Sequence, residues 1–133
     1  MDFKVIEERR NNKIIFKISD DNILFTSCVP NTEMTIEDGK ESTRISAEMV
    51  KYEPRPLLCD LTNVVRMTKE CRKHFAGVDH AKTFNKAALI VTSPISRLIG
   101  NFFLGLNKPL KPTRLFNSNE EGLKWLREDL NRP

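Results

Sequence analysis

Ala87-Ala88-Leu89-Ile90-Val91-Thr92-Ser93-Pro94-Ile95-Ser96-Arg97-Leu98-Ile99-Gly100-Asn101-Phe102-Phe103-Leu104-Gly105-Leu106 is the stretch on which the fold turns. It runs for twenty residues with a single charge, Arg97, which is long enough for a membrane span. Its periodicity argues otherwise. Ala87 to Val91 is a continuous apolar run, as in a strand covered on both faces. Ser93-Pro94 then supplies a helix N-cap and a proline at the first helical position. Ile95, Leu98, Ile99, Phe102, Phe103 and Leu106 follow at the spacing of one helix face. A buried strand, a tight turn and an amphipathic helix make an α/β unit, not a span.

Reading towards the C-terminus, Asn107 to Pro112 is a loop and Thr113-Arg114-Leu115-Phe116 a short strand. Ser118-Asn119-Glu120-Glu121 is a capping box opening a last helix that carries Leu123, Trp125, Leu126 and Leu130. Reading towards the N-terminus, Thr68 caps a helix whose Cys71, Phe75, Val78 and Phe84 point one way, with Gly77 bending or breaking it. Leu57-Leu58-Cys59-Asp60-Leu61 is a short apolar strand. Glu53-Pro54-Arg55-Pro56 stops a helix that begins after Thr35, where Asp38 completes a capping box. Its apolar stripe reads Ile36, Gly39, Thr43, Ala47 and Val50, with Met49 beside it.

Before that helix, Lys13 to Ile18 and Asn22 to Val29 are β-branched and aromatic runs flanking the turn residues Ser19-Asp20-Asp21. They predict a hairpin, and Phe3 to Ile6 an added edge strand. The order ββ-α-β-α-β-α-β-α implies a mixed, mostly parallel sheet of about five strands, an N-terminal β-hairpin and four helices, in one α/β domain spanning residues 1–133. A chain of 133 residues can bury one such core without disulfides or metals.

Cys28, Cys59 and Cys71 are odd in number and form no Cys-x-x-Cys pair, and the N-terminus lacks an apolar signal region. Both features predict a reducing, cytoplasmic setting. Residues 1–66 hold 10 Lys/Arg against 12 Asp/Glu, whereas residues 67–133 hold 12 against 6. A basic second half suits phosphates, lipids or acidic proteins. It lacks the exposed aromatics that nucleic-acid surfaces interleave with basic residues, so no nucleic acid is expected.

Pro56-Leu57-Leu58-Cys59-Asp60-Leu61-Thr62-Asn63-Val64 is similar to the strand ending in Asp-Leu-Ser-Gly-Val of STAS and SpoIIAA-like domains, which include the anti-sigma-factor antagonists. Ala88 to Val91 with Ser93 to Phe103, then Pro112 to Phe116 and Glu121 to Leu126, resemble a bacterial STAS/SEC14-like subgroup of unknown function. The resemblance covers roughly Ile14 to Glu128. It implies a SpoIIAA-like fold and a regulatory, protein-interaction role. The antagonists carry a Asp-Ser-Ser/Thr-Gly motif whose hydroxyl is phosphorylated. Here that register gives Thr68-Lys69-Glu70-Cys71, so the phosphorylatable position falls on Lys69 or Glu70. Similarity to SEC14-like domains implies an alternative, a carrier or sensor of a small or lipid-like molecule.

In open α/β sheets ligands bind beyond the carboxyl ends of the strands. Asp60, Thr62 and Asn63, then Ser93 and Arg97, stand at such ends, and Lys108, Lys111 and Arg114 flank the helix and strand after them. These are the candidates for holding an anion. The helix face around Phe102, Phe103 and Leu104, with Gly100 and Gly105 allowing close approach, is the candidate homodimer contact. Cys71-x-x-His74 with His80 and Cys59 offers four potential metal ligands at a spacing that fits no usual zinc pattern. No Gly-x-Ser-x-Gly elbow or other nucleophile motif is present. The expectation is a non-enzymatic domain without metal or cofactor, with an unidentified protein partner or an apolar or anionic small ligand.

Overall fold

A computed structural model describes residues 3–128. The strands are β1 (Val5–Arg10), β2 (Ile14–Ser19), β3 (Leu24–Cys28), β4 (Thr32–Met34), β5 (Arg55–Asp60), β6 (Val64–Met67), β7 (Phe84–Ile90) and β8 (Thr113–Phe116). The helices are α1 (Ile36–Val50), α2 (Lys69–Phe75), α3 (Pro94–Phe102) and α4 (Asn119–Glu128). The main sheet has six strands in the order β1-β2-β3-β5-β7-β8, one more than expected. The expected edge strand runs later, over Val5–Arg10. β1, β2 and β3 are antiparallel, and β3, β5, β7 and β8 are parallel. A separate parallel pair, β4 with β6, went unread because three or four residues are too few to show an alternating pattern.

The sheet divides the core in two. One face carries Ile14, Phe16, Leu57 and Leu89 against Ile45 and Met49 of α1, Cys71 of α2, and Ile99 and Phe103 at α3. The other carries Phe25, Leu58, Ala88 and Ile90 against Leu123 and Leu126 of α4. β5 and β7 are covered on both sides, which explains why their central residues read as unbroken apolar runs.

The caps form as the sequence implies. Thr35 Oγ1 accepts from the Asp38 amide at 3.4 Å, while Asp38 accepts from the Thr35 amide at 2.9 Å and from Lys13 Nζ at 2.7 Å. Thr68 and Ser93 accept from the amides of Cys71 and Ser96. The helix faces differ from the reading. α1 buries Gly39, Met49 and Val50 as expected, but together with Ser42, Ile45 and Ser46, leaving Ile36, Thr43 and Ala47 at the margin. Small serines permit this rotation because they cost little volume where the helix nears the sheet. α2 ends at Phe75, so Val78 is exposed and Phe84 opens β7. Leu130 lies outside the described residues. None of the described helices is long and apolar enough to cross a membrane.

α3 departs furthest. It buries Ser96, Ile99 and Gly100, followed by Phe103, while Ile95, Leu98, Phe102 and Leu106 remain 49%, 54%, 43% and 71% exposed. A Cβ on Gly100 would meet Leu115 Cδ2 at 2.9 Å and Val91 Cγ1 at 3.1 Å. Gly100 therefore receives this chain's own side chains, not a partner's backbone. Beyond α3 the chain makes a π-helical turn, Phe103–Asn107, and Lys108 takes a left-handed φ of 48°. Inserting a residue into the helical ladder turns Leu104 towards the core, where it packs partly buried. Of the three expected interface residues, Phe103 and Leu104 belong to the core and Phe102 alone is exposed.

Candidate functional site

Two regions could carry function: the carboxyl end of the sheet, and a cavity beneath the helices.

At the carboxyl end, polar side chains tie the loops to one another. Asp60 accepts from the Thr62 amide at 2.9 Å, and the hydroxyls of Thr62 and Thr92 are 2.7 Å apart. Asn63 Nδ2 donates to the Cys28 carbonyl at 2.9 Å. Ser93 and Ser96 complete each other's cap. Arg97 donates to the Val91 carbonyl at 3.2 Å and to Asn117 Oδ1 at 2.8 Å. These hydrogen bonds join the loops after β3, β5, β7 and β8 into one platform.

The expected basic group is not gathered there. Arg114 lies on the α4 side of the sheet, its guanidinium 5.3 Å from the Phe116 ring centroid and 5.4 Å from that of Trp125. Arg97 is on α3, on the opposite side, and Lys108 and Lys111 fall in the loop between α3 and β8. Strand alternation explains Arg114: Leu115 faces α3, so its neighbours face α4.

The cavity, about 80 Å³, lies between the sheet and the layer of α1, α2 and α3. Its floor includes Thr26, Cys28, Leu57, Cys59 and Leu89. Ser42 and Ser46 of α1, Phe75 of α2, and Ile99 and Phe103 close it from above. Protein interiors are close-packed, and a cavity of this size costs about 2 kcal/mol relative to a filled core. It is an apolar chamber with a few hydroxyls and one imidazole, the general make-up of small-molecule sites.

That imidazole is His80, in a short 3₁₀ turn (His80–Lys82), and it is 8% exposed. Thr43 Oγ1 stands 2.9 Å from His80 Nδ1 and 2.8 Å from Nε2 of the half-buried His74. The His80 ring meets Phe75 edge-on at 4.8 Å and Phe84 at 5.4 Å. Burial, with His74 beside it, pushes the His80 pKa down to about 3, so the ring is neutral at pH 7. Burial likewise pushes the thiols of Cys28 and Cys71 up to about 12 and that of Cys59 up to about 11. A protonated, buried thiol is a poor nucleophile and a poor metal ligand. The four residues weighed as metal ligands do not come together as one set. His74 and His80 meet at Thr43, and Cys71 packs in the core. Among the described residues no cluster of three or more His, Cys, Asp or Glu is placed to hold a metal ion.

Sequence reasoning reached the two histidines but not Thr43, which is 31 and 37 residues away from them and was assigned to an apolar stripe. The signal for Ser42 and Ser46 was available, since both fall on the same helical arc as Ile45 and Met49.

Residues 16–129 match the family described as a domain of unknown function (DUF7793). The chain belongs to that family. Among solved structures, it is similar to an uncharacterized protein of the DUF3478 family with a SpoIIAA-like fold from Shewanella loihica PV-4. The TM-score is 0.60 with 20% identity, over 90% of this chain and 98% of that one. This DUF7793 domain therefore has the SpoIIAA-like fold that the strand order and the Asp60 segment suggested. A search of curated proteins found no match.

Proposed function

We propose that this DUF7793 domain is a non-enzymatic regulatory module that acts by contact, through the outer face of α3, with a second copy of itself as partner. The observation that carries the reading is the rotation of α3. The helix turns Ser96 and Gly100 inward while Ile95, Leu98 and Phe102 stay in solvent. Apolar patches of a few hundred Å² on a soluble protein commonly mark contact sites. Around a two-fold axis the same face meets itself, and the exposed Arg97 stays solvated at the rim. The thiols, all held protonated by raised pKa values, and the use of Thr68 and Ser93 as caps, favour binding over covalent catalysis. Light scattering of the purified protein tests the reading. The expected result is a dimer that Leu98→Glu converts to a folded monomer. A wild-type chain that stays monomeric at millimolar concentration overturns self-association.

A second reading, a carrier or sensor of a small molecule, is favoured by the cavity beneath α3. Native mass spectrometry of the purified protein, followed by denaturation to release and identify any ligand, tests it. A reproducible small molecule retained at one per chain supports it, and a chain that takes up no small probe counts against it.

A further inference from the structure

We propose that His80 is the polar anchor of the cavity, holding a small neutral alcohol or ketone, and that Thr43 relays the ligand's hydrogen-bonding sense to His74. The proposal rests on the second reading above. It adds what the ligand must be and how its arrival is reported.

The Thr43 hydroxyl lies within hydrogen-bond distance of both imidazoles, 2.8 Å from His74 Nε2 and 2.9 Å from His80 Nδ1. A hydroxyl has one hydrogen, so it donates to at most one ring, and the relay operates when it accepts an N–H from the other. Two arrangements then follow. In the first, His80 Nδ1–H donates to Thr43 and Thr43 donates to His74 Nε2, leaving a lone pair on His80 Nε2. In the second, His74 Nε2–H donates to Thr43 and Thr43 donates to His80 Nδ1, leaving an N–H on His80 Nε2. The two rings change tautomer together.

His80 Nε2 makes no hydrogen bond to another described residue, and the ring forms part of the cavity wall. An imidazole nitrogen left over on the cavity wall can bond a partner there, and the cavity is where a ligand would provide it. A ligand hydroxyl that donates to Nε2 selects the first arrangement. A ligand carbonyl that accepts from Nε2 selects the second. His74 then presents Nδ1–H in the first case and an Nδ1 lone pair in the second. Because His74 is half-buried, the change reaches the surface.

The chamber sets the ligand class. Asp60 is the one acidic side chain on its wall, already occupied by Thr62, and no lysine or arginine lines it. A charged ligand would be buried without a partner. The volume, about 80 Å³, is close to half that of a cavity known to hold benzene, so it takes about three non-hydrogen atoms of a ligand without adjustment. Met34 and Met67 on the wall can adjust to a somewhat larger body.

The test uses three probes of equal size, 2-propanol, acetone and acetate, with xenon as the apolar control. Ring ¹⁵N shifts of His74 and His80 report tautomers, and methyl shifts of Ile99 report cavity entry. Saturable binding of 2-propanol and acetone is expected, moving the His74 tautomer ratio in opposite directions, with acetate at least tenfold weaker. In Thr43→Val, or Thr43→Ala if the valine disturbs the amide spectrum, His80 still responds and His74 does not. Xenon entry without any response of His80 to 2-propanol or acetone overturns the anchor and leaves the ligand reading standing. Failure of xenon and both neutral probes to move Ile99 overturns the two together. A His74 response that persists in the Thr43 variant overturns the relay.

Discussion

α3 and α4 lie on opposite faces of the same sheet, and each approaches it on a glycine. A Cβ on Gly100 would come within 2.9 Å of Leu115, and one on Gly122 within 2.8 Å of Ile90. Both helices are amphipathic, yet they use their apolar faces differently. α4 buries Gly122, Leu123 and Leu126, so its apolar arc and its buried arc coincide. α3 buries Ser96, Ile99 and Gly100, roughly a quarter-turn away from the centre of its apolar arc at 3.6 residues per turn. None of the core residues under α4 lines the cavity, which lies under α3. Amphipathicity establishes that a helix packs. Its rotation is set by whatever lets the backbone come closest, here Gly100 and the Ser93–Ser96 cap.

The largest test of this contrast compares two core truncations. Leu126 is fully buried on the α4 side, away from the cavity, and Leu126→Ala should cost about 3–4 kcal/mol. Ile99 already borders the cavity, so Ile99→Ala removes fewer contacts and should cost about 2 kcal/mol. Urea unfolding midpoints at constant m-value measure both. An Ile99→Ala loss equal to or above that of Leu126→Ala would mean that the two faces are packed alike.

Much of this fold was legible because local chemistry and tertiary structure agree. The Ser19–Asp21 turn, the Thr35–Asp38 box and the Ser93-Pro94 start each fix a boundary through a side chain bonding its own neighbourhood. What stayed hidden is non-local. The β4–β6 pair joins segments of three and four residues. The Thr43 cluster joins a helix, a second helix and a 3₁₀ turn, and no spacing encodes that meeting. The rotation of α3 depends on Leu115, which follows it by a whole loop and strand. The anion candidates were real loop-end residues, but sequence could not show that Asp60, Asn63, Ser93 and Arg97 bond to the loops themselves.

A second test uses acid. The unfolded chain protonates histidine near pH 6.5, while folded His80 stays neutral until about pH 3. Between those values the unfolded state binds the extra proton, so stability falls as pH drops, by about 1.4 kcal/mol per unit from this group. Above pH 6.5 both states are neutral and the contribution is flat. From pH 6.5 to pH 5 the wild type should lose about 2 kcal/mol more than His80→Phe. Equal losses would show that His80 titrates normally and is not enclosed beneath the α3 layer.

The glycines give a smaller effect. Alanine favours a helix by about 1 kcal/mol over glycine, and overpacking costs about 1–3 kcal/mol. At Gly122 the added methyl also meets Ala88 Cβ at 3.3 Å, a fixed atom of a central strand. At Gly100 it meets the end of Leu115 at 2.9 Å, a half-buried side chain on the edge strand that can turn away, and a γ-methyl of Val91 at 3.1 Å, a side-chain end rather than a strand Cβ. Gly122→Ala should therefore lower stability by about 1 kcal/mol more than Gly100→Ala. The reverse order would place the tighter seat under α3.

The smallest effect falls on the outer face of α3. Leu98 is 54% exposed and adds little to the core of a single chain. Leu98→Ser should change the stability of a dilute, monomeric sample by no more than about 0.5 kcal/mol. Self-association changes what the same substitution does at high concentration. A dimer that buries Leu98 stabilises the folded state by mass action, so the wild-type melting temperature should rise with protein concentration. Leu98→Ser should flatten that rise while leaving the dilute value where it was. A substitution that lowers the dilute melting temperature by several degrees would instead show that Leu98 supports the fold. The quarter-turn rotation of α3 would then be a packing solution rather than a surface held open for a partner.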